Sequence, residues 1–160
     1  MRRSDREINT REGIEEILLA CKTCHVAMID GDTPYVVPLN FGYKIDADNV
    51  LELYFHSAKE GKKLDIINKN NKVSFAISNE GETIDAEIPC NLGSCFFSVI
   101  GFGEAVILNQ SEEKCAALAE IVKHQFGRDA VFTAGQAETV CVFKIVSADY
   151  TGKRKVKPPA

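Results

Sequence analysis

Residues 54–64, Tyr-Phe-His-Ser-Ala-Lys-Glu-Gly-Lys-Lys-Leu, combine residue types that suit phosphate binding. They close an apolar run suited to a strand and lead directly into a helical pattern. A helix start offers an anion free backbone N–H groups and the positive end of the helix dipole. Ser57 adds a hydroxyl, the lysines add charge, and Gly61 lets the backbone come close. The segment therefore indicates a phosphorylated ligand, although a solvated helix start with lysines on its wet face explains the same residues.

The spacing of these residues is not that of a Walker A loop, because Gly-x-x-x-x-Gly-Lys-[Ser/Thr] is absent. A second glycine pair, Gly101 and Gly103, lies inside a strand pattern with no third glycine and no helix directly behind it. It is therefore not a dinucleotide-binding fingerprint, and a Rossmann fold is disfavoured. A bulge or a close backbone approach is expected at these two glycines instead.

Composition points to one folded domain. The chain has 160 residues, of which 45% are hydrophobic and 26% charged, so we predict a single domain over 1–160 with tails at 1–8 and 152–160. No run approaches the roughly 20 apolar residues of a membrane span, and no signal-like stretch precedes the first helix, so we expect no membrane partner and a cytoplasmic location. The net charge of −4 argues against nucleic acid as a partner.

Cysteine spacing offers a second chemistry. Cys21-Lys22-Thr23-Cys24-His25 matches the Cys-x-x-Cys-His pattern of covalent haem attachment. That attachment normally requires export, and no export signal is visible. No other thiol pair has the spacing of a zinc site, so no metal site is predicted. Packing at a helix–strand junction is the favoured explanation, and a haem, redox or metal role for Cys21 and Cys24 stays open.

The chain alternates strands with a few helices. Asn9 is the predicted N-cap of a first helix, a second helix follows Gly61, and Ser111 is the predicted cap of a third. A long polar stretch over residues 79–93 is predicted to be a loop covering a site or a partner. The predicted strands are residues 25–29, 35–43, 50–55, 72–78, 96–108 and 139–149. Six strands joined mostly by short turns are expected to pair antiparallel and to curl into a small barrel with peripheral helices.

Several segments carry a family resemblance. They are Met1-Arg2-Arg3, Val37-Pro38-Leu39-Asn40-Phe41-Gly42-Tyr43, the run from Leu53 to Lys63, Ser98-Val99-Ile100-Gly101-Phe102-Gly103 and Thr151-Gly152-Lys153-Arg154-Lys155. In this order they resemble the 5-nitroimidazole resistance proteins of the pyridoxamine 5′-phosphate oxidase-like family. The resemblance spans nearly the whole chain. It implies a mainly β fold, the six-stranded antiparallel split β-barrel, and a homodimer with FMN, or alternatively FAD, in a cleft between subunits.

The resemblance also implies which residues meet the flavin. The flavin-binding residues it implies are Pro38, Leu39, Asn40, Phe41, Phe55, His56, Ser57, Ala58, Lys59, Gly61, Lys62, Lys63, Ser98 and Gly101. Among them, the turn before the second helix would hold the phosphate, and residues 38–41 would line the isoalloxazine ring. Ser98 and Gly101 would reach the flavin from the partner subunit.

The activity implied is that of a flavin-dependent oxidoreductase that reduces the nitro group of 5-nitroimidazole-type compounds or of a similar small aromatic substrate. His56 is the predicted catalytic residue, because a histidine can supply a proton near neutral pH. A strand-end histidine bonded to a neighbour is the alternative for His56. The alternatives for the whole protein are a flavin-binding or storage protein without turnover and a haem-binding relative of the same barrel. The full cationic set with which pyridoxamine phosphate oxidases bind substrate phosphate is missing, which disfavours vitamin B6 oxidation. The electron donor and the natural substrate stay open.

Overall fold

A computed structural model describes residues 4–157. The chain forms a mostly antiparallel sheet with four α-helices around it. The strands are β1 Glu7–Ile8, β2 Thr23–Asp30, β3 Thr33–Asn40, β4 Gly42–Ile45, β5 Leu51–Ser57, β6 Lys72–Ile84, β7 Gly93–Ile107 and β8 Cys141–Lys155. The helices are α1 Arg11–Ala20, α2 Lys62–Lys69, α3 Ser111–Phe126 and α4 Ala134–Ala137. No helix within residues 4–157 is long and apolar enough to cross a membrane.

The sheet is a split barrel, as predicted, but it has eight strands rather than six. Its strand order is β3-β2-β6-β7-β8-β5-β4, with β1 added beside β8, and every pairing is antiparallel. One extra strand arises because the predicted strand 35–43 divides at Phe41. The segment before Phe41 pairs with β2, and the segment after it pairs with β5. The other is β1, whose two residues lie in the predicted N-terminal tail.

The main core fills the inside of the curled sheet. Leu51, Leu53 and Phe55 alternate inward along β5, and the rings of Phe55 and Phe143 stack with centroids 5.0 Å apart. The predicted apolar positions of α1, which include Ile14, are buried in the same core. The cap of α1 is Thr10 rather than Asn9, because the Thr10 hydroxyl accepts a hydrogen bond from the backbone N–H of Gly13.

A second apolar cluster lies where α3 covers the outside of β5 and β8. Tyr54 and Val142 face this helix and pack against its Ala117, Leu118 and Ile121. Ser111 is the first residue of α3 and not its cap, which is Gln110. Instead the Ser111 hydroxyl donates to Glu138, just beyond α4, a helix that the sequence analysis missed because it is only four residues long.

The strands β6 and β7 extend further than expected. They form a ribbon that pairs as far as Ile84 and Gly93, so residues 79–84 and 93 of the predicted loop 79–93 are strand. The ribbon is largely exposed, and its polar residues therefore lack the apolar alternation by which a strand is recognised. The expected close approach occurs at Gly103, where the register shifts and a Cβ would lie 2.4 Å from the carbonyl oxygen of Val146.

The predicted tails are also shorter than expected. The strand β8 continues to Lys155, and Glu7 pairs with Lys153, so residues 7–8 and 152–155 belong to the sheet. Residues 1–3 of the predicted N-terminal tail and residues 158–160 of the predicted C-terminal tail lie outside the described residues. The Met1-Arg2-Arg3 part of the resemblance therefore lies outside them as well.

Candidate functional site

The turn between β5 and α2 leaves a helix start without a side-chain cap. Ser57 ends β5 opposite Cys141, and α2 begins at Lys62. The backbone N–H groups of Leu64 and Asp65 both donate to the carbonyl oxygen of Gly61, at 2.9 and 3.2 Å. Helix geometry gives the N–H groups ahead of them no intrahelical acceptor. This end of α2 is therefore suited to an anion.

Gly61 has a conformational role at this helix start. It has a φ of 138° and a ψ of 161°, a region that side-chain-bearing residues rarely adopt. A Cβ added there would meet nothing within 4 Å, so the space around it is open. The glycine is therefore required by the backbone turn, rather than by a close neighbour within the described chain.

The Lys62 ammonium group contacts the β2–β3 hairpin. Its Nζ lies 2.9 Å from Oδ2 of Asp30 and 4.9 Å from the ring centroid of Tyr35. The hydrogen bond lowers the pKa of Asp30 and raises that of Lys62. An anion that uses Lys62 must therefore share this lysine with Asp30 or displace the carboxylate.

Lys59 and Lys63, two of the predicted flavin-binding residues, lie near a buried lysine that the sequence analysis did not identify. Lys114 of α3 is only 6% exposed, and its Nζ lies 3.1 Å from Oε1 of Glu138. Lys114 and, more weakly, Lys59 lower the pKa of Glu138. Burial raises the pKa of the Cys141 thiol, and the positive charges of Lys114 and Lys63 oppose this rise. The start of α2 and the start of α3 therefore bring lysines to one region.

Nothing in the local sequence around Lys114 could have revealed this grouping. The residue lies in the first turns of an amphipathic helix, where a lysine usually faces water. Its proximity to the α2 start depends on the pairing of Ser57 with Cys141 and on the hydrogen bond from the Leu108 N–H to the Val142 carbonyl. Both are long-range contacts.

His56 is exposed at the end of β5, next to Ser57 and opposite Val142. Its ring makes no hydrogen bond to residues 4–157. The imidazole is therefore accessible to a small molecule.

Other predicted residues lie on an exposed sheet surface. We call this surface the open face, defined by the outward side chains Val36, Pro38, Asn40, His25, Ala76, Ser98, Ile100 and Phe102. Pro38 is opposite His25, His25 is opposite Ala76, and Ala76 is opposite Ile100, so residues from β3, β2, β6 and β7 form one row. Val36, Ile100 and Phe102 are 53%, 50% and 60% exposed, so this face carries large apolar side chains that are uncovered in the described chain.

Four predicted flavin-contacting residues do not present side chains to solvent in this way. Leu39 packs against the core, and Phe55 is fully buried in it. Phe41 is also fully buried, with its ring centroid 4.5 Å from that of His124, so its predicted lining role can involve only its backbone. A Cβ at Gly101 would lie 2.4 Å from the Phe75 ring, so this glycine makes room for its own core.

The cysteine pattern is part of the core. Cys21 and Cys24 are 2% and 0% exposed, and burial raises the pKa of both thiols. Of the three residues that define the pattern, Cys21, Cys24 and His25, His25 alone is exposed. Packing of the helix–strand junction thus explains both cysteines. Within residues 4–157 no group of three or more His, Cys, Asp and Glu side chains is arranged to hold a metal ion.

Comparison with known proteins adds family information to this geometry. A family model described as pyridoxamine 5′-phosphate oxidase matches residues 10–154. A crystal structure of a candidate 5-nitroimidazole antibiotic resistance protein from Bacteroides thetaiotaomicron is 30% identical, with 92% of this chain and 86% of that chain covered and a TM-score of 0.79. Comparison with curated proteins gives no match.

Two more distant structures share the fold. The flavocytochrome Anf3 from Azotobacter vinelandii is 21% identical, covers 100% of this chain and 74% of its own, and has a TM-score of 0.80. The FAD and haem binding protein from Mycobacterium smegmatis is 14% identical, with coverages of 97% and 76% and the same TM-score of 0.80. The barrel of this chain is thus shared with flavin-binding and haem-binding proteins.

Proposed function

Because the chain belongs to the pyridoxamine 5′-phosphate oxidase family, we propose that it is a flavin-dependent oxidoreductase that binds FMN at the turn between β5 and α2. The observation that carries this proposal is the uncapped start of α2, which begins with Lys62 and Lys63 and follows Ser57 and Lys59 of the preceding strand and turn. A phosphate monoester needs N–H donors, hydroxyl donors and cations at one place, and this turn offers all of them. The residues present therefore fit the phosphate of the cofactor.

The chain's own residues divide the remaining work. Ser57 and Lys63 bind the phosphate with the N–H groups of α2, while Ala58 and Lys59 shape the turn around it. Pro38 and Asn40 face outward beside the ring, and Leu39 and Phe41 offer backbone groups. The flavin, when bound, supplies the electron transfer, whereas the protein binds it, orients it and limits access of water. FAD fits the same phosphate site, because its second phosphate and adenosine extend from the first.

The site is completed by a second copy of the chain. The open face carries exposed Val36, Ile100 and Phe102, and isolated sheets do not normally leave such a patch uncovered. Ser98 lies at the same face and would reach the flavin of the partner subunit. A homodimer formed through this face explains both its apolar character and the position of Ser98.

The proposed substrates are small nitroaromatic compounds of the 5-nitroimidazole type. The candidate 5-nitroimidazole antibiotic resistance protein, 30% identical along most of both chains, supports this class. His56 is exposed and has no hydrogen-bond partner in the described chain, so its imidazole can carry a proton to an oxygen of the nitro group.

The proposal is tested by absorption spectroscopy on protein reconstituted with FMN. We expect a bound flavin spectrum that bleaches on anaerobic reduction and returns when a 5-nitroimidazole is added. Protein that binds FMN but stays reduced after the addition would be a flavin-binding or storage protein, which is the alternative. A Soret band in protein from haem-supplied cells, without flavin binding, would instead favour the haem-binding alternative suggested by the more distant relatives.

His56→Ala tests the predicted catalytic residue. This variant is expected to keep FMN affinity and to lose about 10²- to 10⁴-fold in turnover, the usual contribution of a positioned proton donor. Its FMN affinity, measured in the same preparation, is the control. Unchanged turnover would remove His56 from the mechanism.

A further inference from the structure

The environment of Lys114 is unusual for a lysine. Its side chain is more than nine-tenths buried, and its ammonium group is paired only with Glu138 within the described chain. An ammonium group loses much of its hydration on burial and needs anionic partners in compensation. Glu138, in contrast, is 52% exposed at the side chain and lies just after the four-residue α4. The partner is thus less firmly held than the lysine it neutralises.

Two further lysines lie near this pair. Lys59 contributes with Lys114 to the lowered pKa of Glu138, and the charges of Lys63 and Lys114 both oppose the raised pKa of the Cys141 thiol. A phosphate monoester carries between one and two negative charges at neutral pH, since its second pKa is about 6. These three lysines therefore have the sign of charge that a phosphate requires of its partners.

Backbone pairing brings these lysines to the proposed phosphate site. Ser57 lies opposite Cys141 in the β5–β8 pairing, and Lys63 follows on the first turn of α2. From the other side, the N–H of Leu108 donates to the Val142 carbonyl at 2.9 Å, which fixes the start of α3 beside the same strand end. Lys114 lies one turn into α3, and its Nζ lies 3.1 Å from Oε1 of Glu138, which precedes by three residues the Cys141 that pairs with Ser57.

From these contacts we propose that Lys114 is a phosphate-binding residue of the flavin site and that Glu138 forms an ion pair with its ammonium group until the phosphate binds. The inference rests on the proposed function, since it concerns the phosphate of the same flavin. It assigns a binding role to a residue from α3, outside the turn between β5 and α2. It also makes Glu138 a competitor, because its carboxylate and the phosphate need the same donor. The exposed side chain of Glu138 can turn to solvent when it is displaced.

The test compares affinities for FMN and riboflavin, which differ only by the phosphate. The ratio of the two affinities isolates the phosphate site, since a loss of folding or of ring contacts lowers both affinities together. Lys114→Met is expected to reduce the preference for FMN about 10- to 100-fold, the scale of a lost charged hydrogen bond. Lys123→Met, an exposed lysine later in α3, is the matched control and is expected to leave the ratio unchanged.

A second variant keeps the proposal testable if Lys114→Met does not fold. Glu138→Gln removes the competing charge and is expected to raise the preference for FMN over riboflavin. An unchanged ratio in Lys114→Met, or an unchanged or lower ratio in Glu138→Gln, would overturn the role of Lys114 while leaving the flavin proposal intact. Wild-type protein that binds neither compound would instead overturn the proposed function itself.

Discussion

Lys62, the first residue of α2, forms an ion pair with Asp30, the last residue of β2, with 2.9 Å between Nζ and Oδ2. The pair joins the helix start to the β2–β3 hairpin, and the Lys62 ammonium also lies over the ring of Tyr35. The lysine that the family resemblance assigns to the phosphate therefore already has an anionic partner from its own chain.

Asp30→Asn should release Lys62 for the phosphate. We expect FMN affinity to rise about 1.5- to 5-fold, the range for an exposed ion pair, while riboflavin affinity stays the same. Titration of both compounds by flavin fluorescence measures the effect. Asp32→Asn, in the same hairpin turn but without an ion pair to Lys62, is the control. A lower FMN affinity in Asp30→Asn would show that the pair positions Lys62 for the phosphate rather than withholding it.

Gly61→Ala should destabilise the protein and distort the start of α2. Alanine at a φ of 138° is strained by about 1–3 kcal/mol, even though there is open space for its Cβ. Urea unfolding should show this loss, together with weaker FMN binding. Gly135→Ala is the control, because a Cβ there also meets nothing within 4 Å and Gly135 lies within α4. Equal stability of the two variants would mean that the turn can relax without cost.

Phe102→Asp should disrupt the proposed homodimer. Phe102 is 60% exposed on the β7 side of the open face, where a carboxylate would be buried against a second copy. Sedimentation velocity should therefore show a monomer, with FMN affinity reduced in parallel. Phe126→Asp replaces a similarly exposed phenylalanine, 68% exposed at the end of α3, and should stay dimeric. A Phe102→Asp dimer with normal FMN affinity would place the interface elsewhere.

His124 should make stability depend on pH. Its Nε2 lies 2.9 Å from the Cys21 carbonyl oxygen, which can only accept, so the ring donates there, and its buried Nδ1 has no hydrogen-bond partner within residues 4–157. Burial lowers the pKa of His124, with a smaller contribution of the same sign from Lys22, against the raising effect of the Cys21 hydrogen bond. The folded state thus favours the neutral ring, and this stabilisation is complete above the unfolded-state pKa near 6.5 and is lost as pH falls toward the folded-state pKa.

Urea unfolding of wild type and His124→Gln at pH 7.5 and 5.5 measures this dependence. Glutamine can still donate to the Cys21 carbonyl but does not titrate in this range. We therefore expect the variant to lose less stability than wild type between the two pH values. Equal losses would assign the acid sensitivity to other groups.

Local sequence was sufficient to predict those elements whose signal comes from neighbouring residues. Residues 54–64 predicted a strand, a turn and a helix start because apolar alternation, small residues and helical spacing follow one another there. The close approach at Gly103 was predicted because a glycine inside a strand pattern indicates a bulge or a close backbone contact. The family resemblance added the split barrel, which short-range patterns alone indicate only as an antiparallel sheet.

The tertiary structure decided which of these residues can act together. Lys62 pairs with Asp30, and Phe41 is buried in the core. Lys114 belongs to α3, which is distant from α2 in sequence, yet it lies near the same strand end at Cys141. Whether a lysine is solvated or buried beside one carboxylate depends on the packing of strands and helices that are distant in the chain. Residue type and spacing therefore predicted a turn suited to an anion, and long-range packing determined which charges surround it.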